Sequence, residues 1–383
     1  MKIPILKLNL SEDEICQYQD DIATILRSGY LTMGKFTSAF ENEFSLWNES
    51  TYSIATNSGT SSLEIPLRCL DVGGKIVLCP SNTFMATPIA AVHAGAKVQF
   101  VDSMVENLQI SYEHLKYILN NNSTNDIAAL IVVHIAGIIS PDFWKIKKLC
   151  DSYNIPIIED AAHAHGALLD NQKAGNLAYA GSFSFYPTKV LFAGEGGMIT
   201  TSNKECNDKS IILREHGKAD HRYNIHTEFG YNWRISEFNS LLGLMQVRKA
   251  ESILRDRRLI ASYYDKLLDG VNGIFKLNIP QNISSSYYKY VCYLDSKINR
   301  EKLKKLLYYN YNISLTGEVY STPCHSQPVF IKYPENLIIQ PEEFFKNTEF
   351  ISKNHICLPL YPGLKKEEVE YIVESLKNVI STF

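Results

Sequence analysis

Six short apolar runs between residues 50 and 205 constrain the fold most strongly. They are KIVLCP, AKVQFVD, AALIVVH, IPIIED, AGSFSFY and GMITTS, and stretches with helical spacing separate them. Nearly every residue in each run is apolar, which is typical of strands that are covered on both faces. The alternation of such strands with helices predicts an α/β fold, with a mostly parallel mixed sheet sandwiched by helices.

The rest of the chain predicts a second, smaller unit. One or two long helices are expected from NWRISEF to YYDKLL, and charge rises sharply between Glu251 and Arg258. An alternating aromatic strand, YYKYVCYLD, and a closing amphipathic helix follow. A chain of 383 residues is too long to fold around a single small hydrophobic core. We therefore predict a large α/β domain over 1–250 and a small α+β domain over 251–383. The N-terminal segment is a candidate to pack on the small domain.

Composition excludes several partners. The net charge is −3 with both signs intermixed, which argues against nucleic acid because phosphate backbones need a basic surface. The longest apolar run, IAALIVVHIAGII, is too short to span a bilayer and contains His134. The eight cysteines are scattered and form no CxxC pair, which favours reduced thiols. We therefore expect a cytoplasmic protein without a nucleic-acid or membrane partner.

A small-residue turn, Ser58-Gly59-Thr60-Ser61, leads into a predicted helix. The unpaired N–H groups at a helix N-terminus carry partial positive charge and suit a phosphate group. Simple N-capping by serine or threonine explains the same residues. The turn alone does not separate these alternatives.

The segment IPIIEDAAHAHGA ends a predicted buried strand with Glu159 and Asp160. The carboxyl ends of parallel strands are where α/β proteins bind ligands, and a carboxylate there needs a cationic or N–H partner. Two other interpretations are open. Asp160 could cap the next helix, or it could join His163 and His165 as metal ligands, although no further His or Cys cluster has ligand spacing.

Lys189 follows the aromatic strand SFSF and precedes GEGG. Most lysines are simply solvated, but an apolar setting lowers a lysine pKa and yields a neutral amine that can condense with a carbonyl. Together the segments suggest a phosphate at Gly59, Thr60 and Ser184, a ring nitrogen at Asp160 and an aldehyde at Lys189. Pyridoxal 5′-phosphate (PLP) has these three groups.

Motifs along nearly the whole chain resemble the DegT-like aminotransferases, which are fold-type-I PLP enzymes that mostly aminate nucleotide-linked keto-sugars. In order they are LTMGKFTSAFENEF, NSGTSSL, PSNTFMAT, VVHIAG, EDAAHAHGA, SFSFYPTK, GEGG, LREHG, GYNWRISE, VYSTPCHSQPVF and LPLYP. Each motif is modest, but their order and spacing make the set specific. The resemblance implies a fold-type-I architecture and a homodimer with shared active sites.

The resemblance also implies roles for single residues. Lys189 would bind the cofactor aldehyde and transfer protons, and Asp160 would keep the pyridine nitrogen protonated. Phe84 would stack on the cofactor ring, and Asn232 would reach the phosphate bound by the partner subunit. Gly59, Thr60 and Ser184 match the phosphate ligands, while Tyr320 and His325 fall where relatives line the sugar site.

This chain departs from the family pattern at two positions. His163 stands where the family commonly has Gln near the phenolic oxygen of the cofactor, and an imidazole can still donate a hydrogen bond there. Val190 replaces an Asn that often follows the lysine. A related dehydratase branch has His in place of the lysine, so Lys189 favours transamination.

The implied reaction moves an amino group, with L-glutamate as the expected donor, to a nucleotide-linked 4- or 3-keto-6-deoxysugar for surface-glycan or related biosynthesis. The basic loop that holds Lys218, His221, Arg222 and His226 could meet a substrate phosphate, or it could be an ordinary solvated loop. Two alternatives stay open: a small phosphorylated ketone such as a triose phosphate as acceptor, and a non-catalytic PLP-binding regulatory or structural protein.

Overall fold

The α-helices and β-strands are given by a computed structural model, which describes residues 2–8, 10–121, 124–220, 222–315 and 317–383. The α-helices are α1 Glu12–Ser28, α2 Lys35–Asn48, α3 Gly59–Cys69, α4 Ala86–His93, α5 Tyr112–Asn121, α6 Phe143–Ser152, α7 Lys204–Arg214, α8 Glu237–Arg248, α9 Ala250–Leu267, α10 Arg300–Tyr311, α11 Pro328–Lys332, α12 Lys346–Asn354 and α13 Lys366–Ile380. The strands are β1 Tyr52–Thr56, β2 Ile76–Pro80, β3 Lys97–Val101, β4 Ile127–Val133, β5 Ile157–Asp160, β6 Leu168–Leu169, β7 Gln172–Lys173, β8 Ala180–Ser184, β9 Gly197–Thr201, β10 Ile274–Lys276, β11 Ile283–Ser284, β12 Tyr290–Leu294 and β13 His355–Leu358.

The central sheet has seven strands in the order β1-β9-β8-β5-β4-β2-β3. Neighbours from β8 to β3 run parallel, whereas β9 is antiparallel to both β1 and β8. All six apolar runs become strands of this sheet, and β1 adds a seventh. The predicted α/β fold with a mostly parallel mixed sheet is confirmed.

Burial of the central strands explains why their sequences lack a polar face. Every residue of β9 is buried, and in β4 only one of seven is not. Successive side chains of a strand point to opposite faces, so both faces of the sheet must be covered. A polar residue within such a strand is therefore exceptional, and β5 ends with two of them, Glu159 and Asp160.

A second hydrophobic cluster lies around the three-stranded sheet β10-β12-β13 and helices α9, α10 and α13. Ile3 is fully buried in this cluster, and its backbone N–H donates to the Asn312 carbonyl at 3.0 Å. Lys249 alone separates α8 from α9, so the predicted boundary near 250 falls at the start of α9. Val291 and Phe345 pack into the larger cluster, so the exact division between 1–250 and 251–383 stays a prediction.

Two further observations concern features that the sequence raised. In the described part of the chain, no helix combines the length and the apolar composition needed to cross a membrane. All eight cysteines, none of which falls outside the described ranges, are free thiols.

Candidate active site

A cavity of about 680 Å³ opens at the carboxyl ends of β5 and β8, beside the N-terminus of α3. Side chains and backbone from both halves of the chain line it, so it lies between the central sheet and the segments that follow α9. It brings together most of the predicted site residues, namely Gly59, Thr60, Phe84, Asp160, His163, Ser184, Lys189 and Tyr320.

Asp160 is the last residue of β5 and is 8% exposed. Its Oδ2 accepts a hydrogen bond from Thr87 Oγ1 at 2.8 Å, and its Oδ1 accepts one from the Ala162 N–H at 3.2 Å. Both donors are neutral and fix the orientation of the carboxylate. The carboxylate therefore borders the cavity as an anchored negative charge, which fits a protonated ring nitrogen.

Lys189 lies in the turn after β8, where its N–H donates to the Tyr186 carbonyl at 2.9 Å. Its ammonium is 5.0 Å from the centroid of the Tyr288 ring. Burial lowers the pKa of Lys189, and the positive charge of Lys289 lowers it further, while Tyr288 and Asp160 act in the opposite direction. A lowered pKa increases the fraction of neutral amine, the form that reacts with an aldehyde.

The N-terminus of α3 forms a cradle with Ser184. Ser58 caps the helix by accepting a hydrogen bond from the Ser61 N–H at 3.1 Å, so the capping interpretation of the turn is confirmed. Gly59 and Thr60, at the first two helical positions, line the cavity. A Cβ on Gly59 would lie 2.6 Å from the Ser184 Cβ, so only glycine permits this approach. The cradle presents a helix N-terminus and a hydroxyl group, which suit a phosphate group.

His163 is 4% exposed, and its ring stacks on Tyr288 with centroids 4.0 Å apart. Burial places the pKa of His163 well below its usual value, and Lys189 lowers it further, so the imidazole is neutral. Its Nε2 is 3.3 Å from the Tyr320 hydroxyl, whereas its Nδ1 is buried without a partner among the described residues. His163 also lines the cavity, and Nδ1 is the ring nitrogen that remains available for a further hydrogen bond.

The metal interpretation gains no support. Among the described residues, no group of three His, Cys, Asp or Glu side chains is arranged to hold a metal ion. His165 packs against the rings of Phe183 and Phe185 at 5.2 and 5.0 Å instead of facing Asp160. Its pKa is lowered to about 3, mainly by burial, so it is a neutral core residue.

Phe84 differs from an ordinary core phenylalanine because it is 61% exposed. Its ring stacks loosely on Tyr320, with centroids 6.2 Å apart and planes 27° apart. Both rings line the cavity. An exposed aromatic face at the cavity mouth is available for stacking on a planar ligand.

Asn232 and His325 do not line the cavity of this chain. Asn232 is exposed, and its carbonyl accepts a hydrogen bond from Asn57 Nδ2 at 3.3 Å. His325 Nδ1 lies 2.6 Å from Ser81 Oγ, and its ring stacks on Phe345 at 4.1 Å, so its contacts are with the protein.

The basic loop before Asn232 is largely exposed. Arg222 pairs with Asp220 at 2.7 Å, and His226 Nδ1 lies 2.7 Å from the His216 carbonyl. His221 lies outside the described residues.

Sequence reasoning missed several residues of the cavity wall, including Tyr288, Lys289 and Glu195. It also missed Thr87, which is fully buried and donates to Asp160. Glu195 is part of the GEGG motif, but its position in a glycine-rich turn does not predict a function for its side chain. Tyr288 and Lys289 precede β12 and belong to the run YYKYVCYLD, which predicts an aromatic strand of the smaller unit. Strand periodicity predicts which face a side chain occupies but not which distant cavity that face borders, so no pattern in the chain could have found them.

Comparison with known proteins agrees with this geometry. The model of the DegT/DnrJ/EryC1/StrS aminotransferase family matches residues 12–377. The UDP-4-amino-4,6-dideoxy-N-acetyl-beta-L-altrosamine transaminase of Campylobacter jejuni subsp. jejuni serotype O:2 is 31% identical, covering 94% of this chain and 95% of the relative. GDP-perosamine synthase of Escherichia coli O157:H7 is 29% identical, covering 91% of each chain.

The fold comparison reaches the same family. The PLP form of the Streptococcus pneumoniae protein Spr1654 superposes with a TM-score of 0.87 at 27% identity, over 100% of this chain and 99% of that one. The match of the family model spans both the central sheet and the smaller unit, including every residue of the cavity named above. The chain therefore belongs to the DegT/DnrJ/EryC1/StrS aminotransferase family.

Proposed function

We propose that this aminotransferase uses PLP to move an amino group from L-glutamate to a nucleotide-linked 4- or 3-keto-6-deoxysugar. The observation that carries the proposal is the cavity itself, in which an amine, an anchored carboxylate and a helix N-terminus face one space. These are the three groups that recognise the aldehyde, ring nitrogen and phosphate of PLP.

Each group has a defined task in the proposal. Gly59, Thr60 and Ser184 would hold the phosphate, since the cradle combines N–H donors with a hydroxyl. Asp160 would hold the pyridine nitrogen in its protonated state, and Phe84 would cover the ring. His163 would donate a hydrogen bond to the phenolic oxygen, because its neutral ring has one unpaired nitrogen. When bound, PLP supplies an aldehyde and a ring that accepts electrons.

Lys189 would carry the proton transfers. Its amine borders the cavity, and its lowered pKa increases the fraction of neutral amine that can accept a proton. The Tyr288 ring beside it excludes water from one side of the amine.

The acceptor class rests on the relatives. The Campylobacter name describes a UDP-linked amino sugar, and the Escherichia coli name describes a GDP-linked product. We propose that the acceptor of this chain is also a nucleotide-linked sugar. The proposed pathway class is surface-glycan biosynthesis, and the proposed location is the cytoplasm. Tyr320 lines the cavity next to Phe84 and is the proposed sugar contact. No comparable contact supports His325.

A homodimer with shared sites is part of the proposal. Asn232 is exposed on the surface next to Asn57, outside the cavity of its own chain. An exposed amide at that position is free to reach the phosphate of a partner subunit. Asn232→Ala should then weaken PLP binding by about 10-fold, in line with the loss of one hydrogen bond to a charged group.

The absorption spectrum of the purified holoenzyme tests the function. Addition of L-glutamate should bleach the band of the bound cofactor, and addition of a suitable keto-sugar should restore it. Borohydride reduction followed by peptide mapping should place the mass of the cofactor on Lys189. If the absorbance of the cofactor band does not change with any amino donor, the result supports the non-catalytic alternative. If a triose phosphate restores the bleached band, the result supports the small-ketone alternative.

A further inference from the structure

Lys289 places a second ammonium on the wall of the active-site cavity. It follows Tyr288 in the chain, and its Nζ is 5.4 Å from the centroid of the Tyr288 ring, while Lys189 is 5.0 Å from the same centroid. The Nζ also lies 3.5 Å from the position that a Cβ on Gly317 would occupy. Lys189 and Lys289 are the only lysine or arginine side chains among the described residues that line the cavity.

Lys289 forms no ion pair with any described residue, although acids are near. Glu318 pairs with Lys304 at 2.8 Å, and Asp160 is held by Thr87 and Ala162. Lys289 also borders a second cavity, where the carboxylate of Asp265 accepts a hydrogen bond from the Tyr290 hydroxyl at 2.6 Å. A half-buried ammonium without a carboxylate partner is ready to bind an anion.

We propose that Lys289 binds the α-carboxylate of the amino donor, an inference that rests on the proposed function. An amino acid that reacts at the position of Lys189 carries its carboxylate one bond from the carbon that bears the amine. The two ammonium groups lie 5.0 and 5.4 Å from the centroid of one tyrosine ring and border the same cavity, so an anion beside Lys289 occupies the cavity in which that carbon reacts. In a nucleotide-linked keto-sugar, by contrast, the phosphates are separated from the reacting carbon by the sugar ring.

The same placement links binding to reactivity. The positive charge of Lys289 adds to burial in lowering the pKa of Lys189. A carboxylate that pairs with Lys289 compensates this charge and favours a protonated Lys189. Donor binding would thus prepare Lys189 to return a proton.

The test compares L-glutamate with 4-aminobutyrate, which is glutamate without the α-carboxylate. For the holoenzyme of Lys289→Met, kcat/KM in the glutamate half-reaction should fall by about 10- to 100-fold, as expected for a lost hydrogen bond to a charged group. The rate with 4-aminobutyrate, which the variant affects only through the pKa of Lys189, should fall much less than the rate with glutamate. Lys289→Arg keeps the charge and should recover part of the glutamate rate.

Lys332→Met is the matched control, because Lys332 lies 5.1 Å from the ring of its neighbour Tyr333 and does not line the cavity. Binding of glutarate, followed by calorimetry, gives a readout without turnover and should weaken in Lys289→Met alone. Equal losses with glutamate and 4-aminobutyrate, or a loss confined to the keto-sugar half-reaction, would overturn the proposal. If the wild-type enzyme aminates nothing with any amino acid, the proposed function itself fails.

Discussion

Glu159 and Asp160 are neighbours at the end of β5, yet their surroundings differ completely. Glu159 is fully buried and accepts hydrogen bonds from the backbone N–H groups of Gly175, Leu177 and Ala178, and its Oε2 lies 2.9 Å from His134 Nε2. Asp160 has two neutral donors and borders the cavity. A saturated buried carboxylate serves the fold, whereas one that is only partly satisfied beside a cavity is available to a ligand.

The largest expected effect tests the cavity side of this comparison. Lys189→Met should lower the transamination rate at least about 1,000-fold, because the proton carrier is lost. The cofactor-free variant should unfold at a higher temperature than wild type, since an ammonium that burial disfavours has been removed. Because folding lowers the pKa of Lys189, wild-type stability rises with pH toward the usual lysine pKa, and the advantage of the variant should shrink there.

Asp160→Asn should reduce kcat by about 100- to 1,000-fold, because a neutral amide cannot hold a protonated ring nitrogen. Thr87 can still donate to the amide oxygen, so urea unfolding of the cofactor-free protein should change little. If the variant keeps its kcat, the carboxylate has no electrostatic role at this position.

Glu159→Gln should lower stability and leave activity unchanged, which is the opposite of the result expected for Asp160→Asn. The amide would turn N–H groups toward backbone donors, so the free energy of unfolding should fall by about 2–4 kcal/mol. Activity per folded molecule should stay close to wild type. A stable but inactive Glu159→Gln protein would remove the distinction between the two carboxylates.

A third buried group extends the comparison to pH. His355 Nε2 accepts a hydrogen bond from the Val319 N–H at 2.9 Å, and its Nδ1 lies 2.6 Å from the Ile351 carbonyl. Burial is the largest cause that lowers its pKa to about 4. The contribution of neutral His355 to stability should therefore be fully present above pH 6.5. Below that pH the free energy of unfolding should fall by about 1.4 kcal/mol per pH unit toward pH 4, because only the unfolded chain takes up the proton there. Unfolding curves of wild type and His355→Gln would separate this contribution from that of other groups.

The smallest effect concerns the phosphate cradle. Gly59→Ala would force the α3 N-terminus away from Ser184, so PLP binding should weaken by about 10-fold. Gly73→Ala is the matched control, since the nearest atom to its added Cβ is the Ala94 carbonyl oxygen at 3.9 Å. Fluorescence titration of both cofactor-free variants with PLP would measure the difference.

Much of the site could be predicted from the positions at which the buried strands end. Apolar runs predict buried parallel strands, and such strands bring Asp160 and Ser184 to one edge of the sheet. Lys189 and Gly59 then follow from short turns. Tyr288, Lys289 and Thr87 could not be placed in this way, because their contacts with the site depend on how segments far apart in the chain pack.

The sequence by itself determined the α/β layer, six of the seven strands of the central sheet and the set of groups suited to PLP, because apolar runs and strand periodicity are local properties of the chain. Only the tertiary structure decided that His163 is neutral with one unpaired nitrogen, that Glu159 is saturated, and that Lys289 borders the cavity. Burial and hydrogen-bond satisfaction depend on neighbours that lie up to hundreds of residues away, and so they arise only on folding.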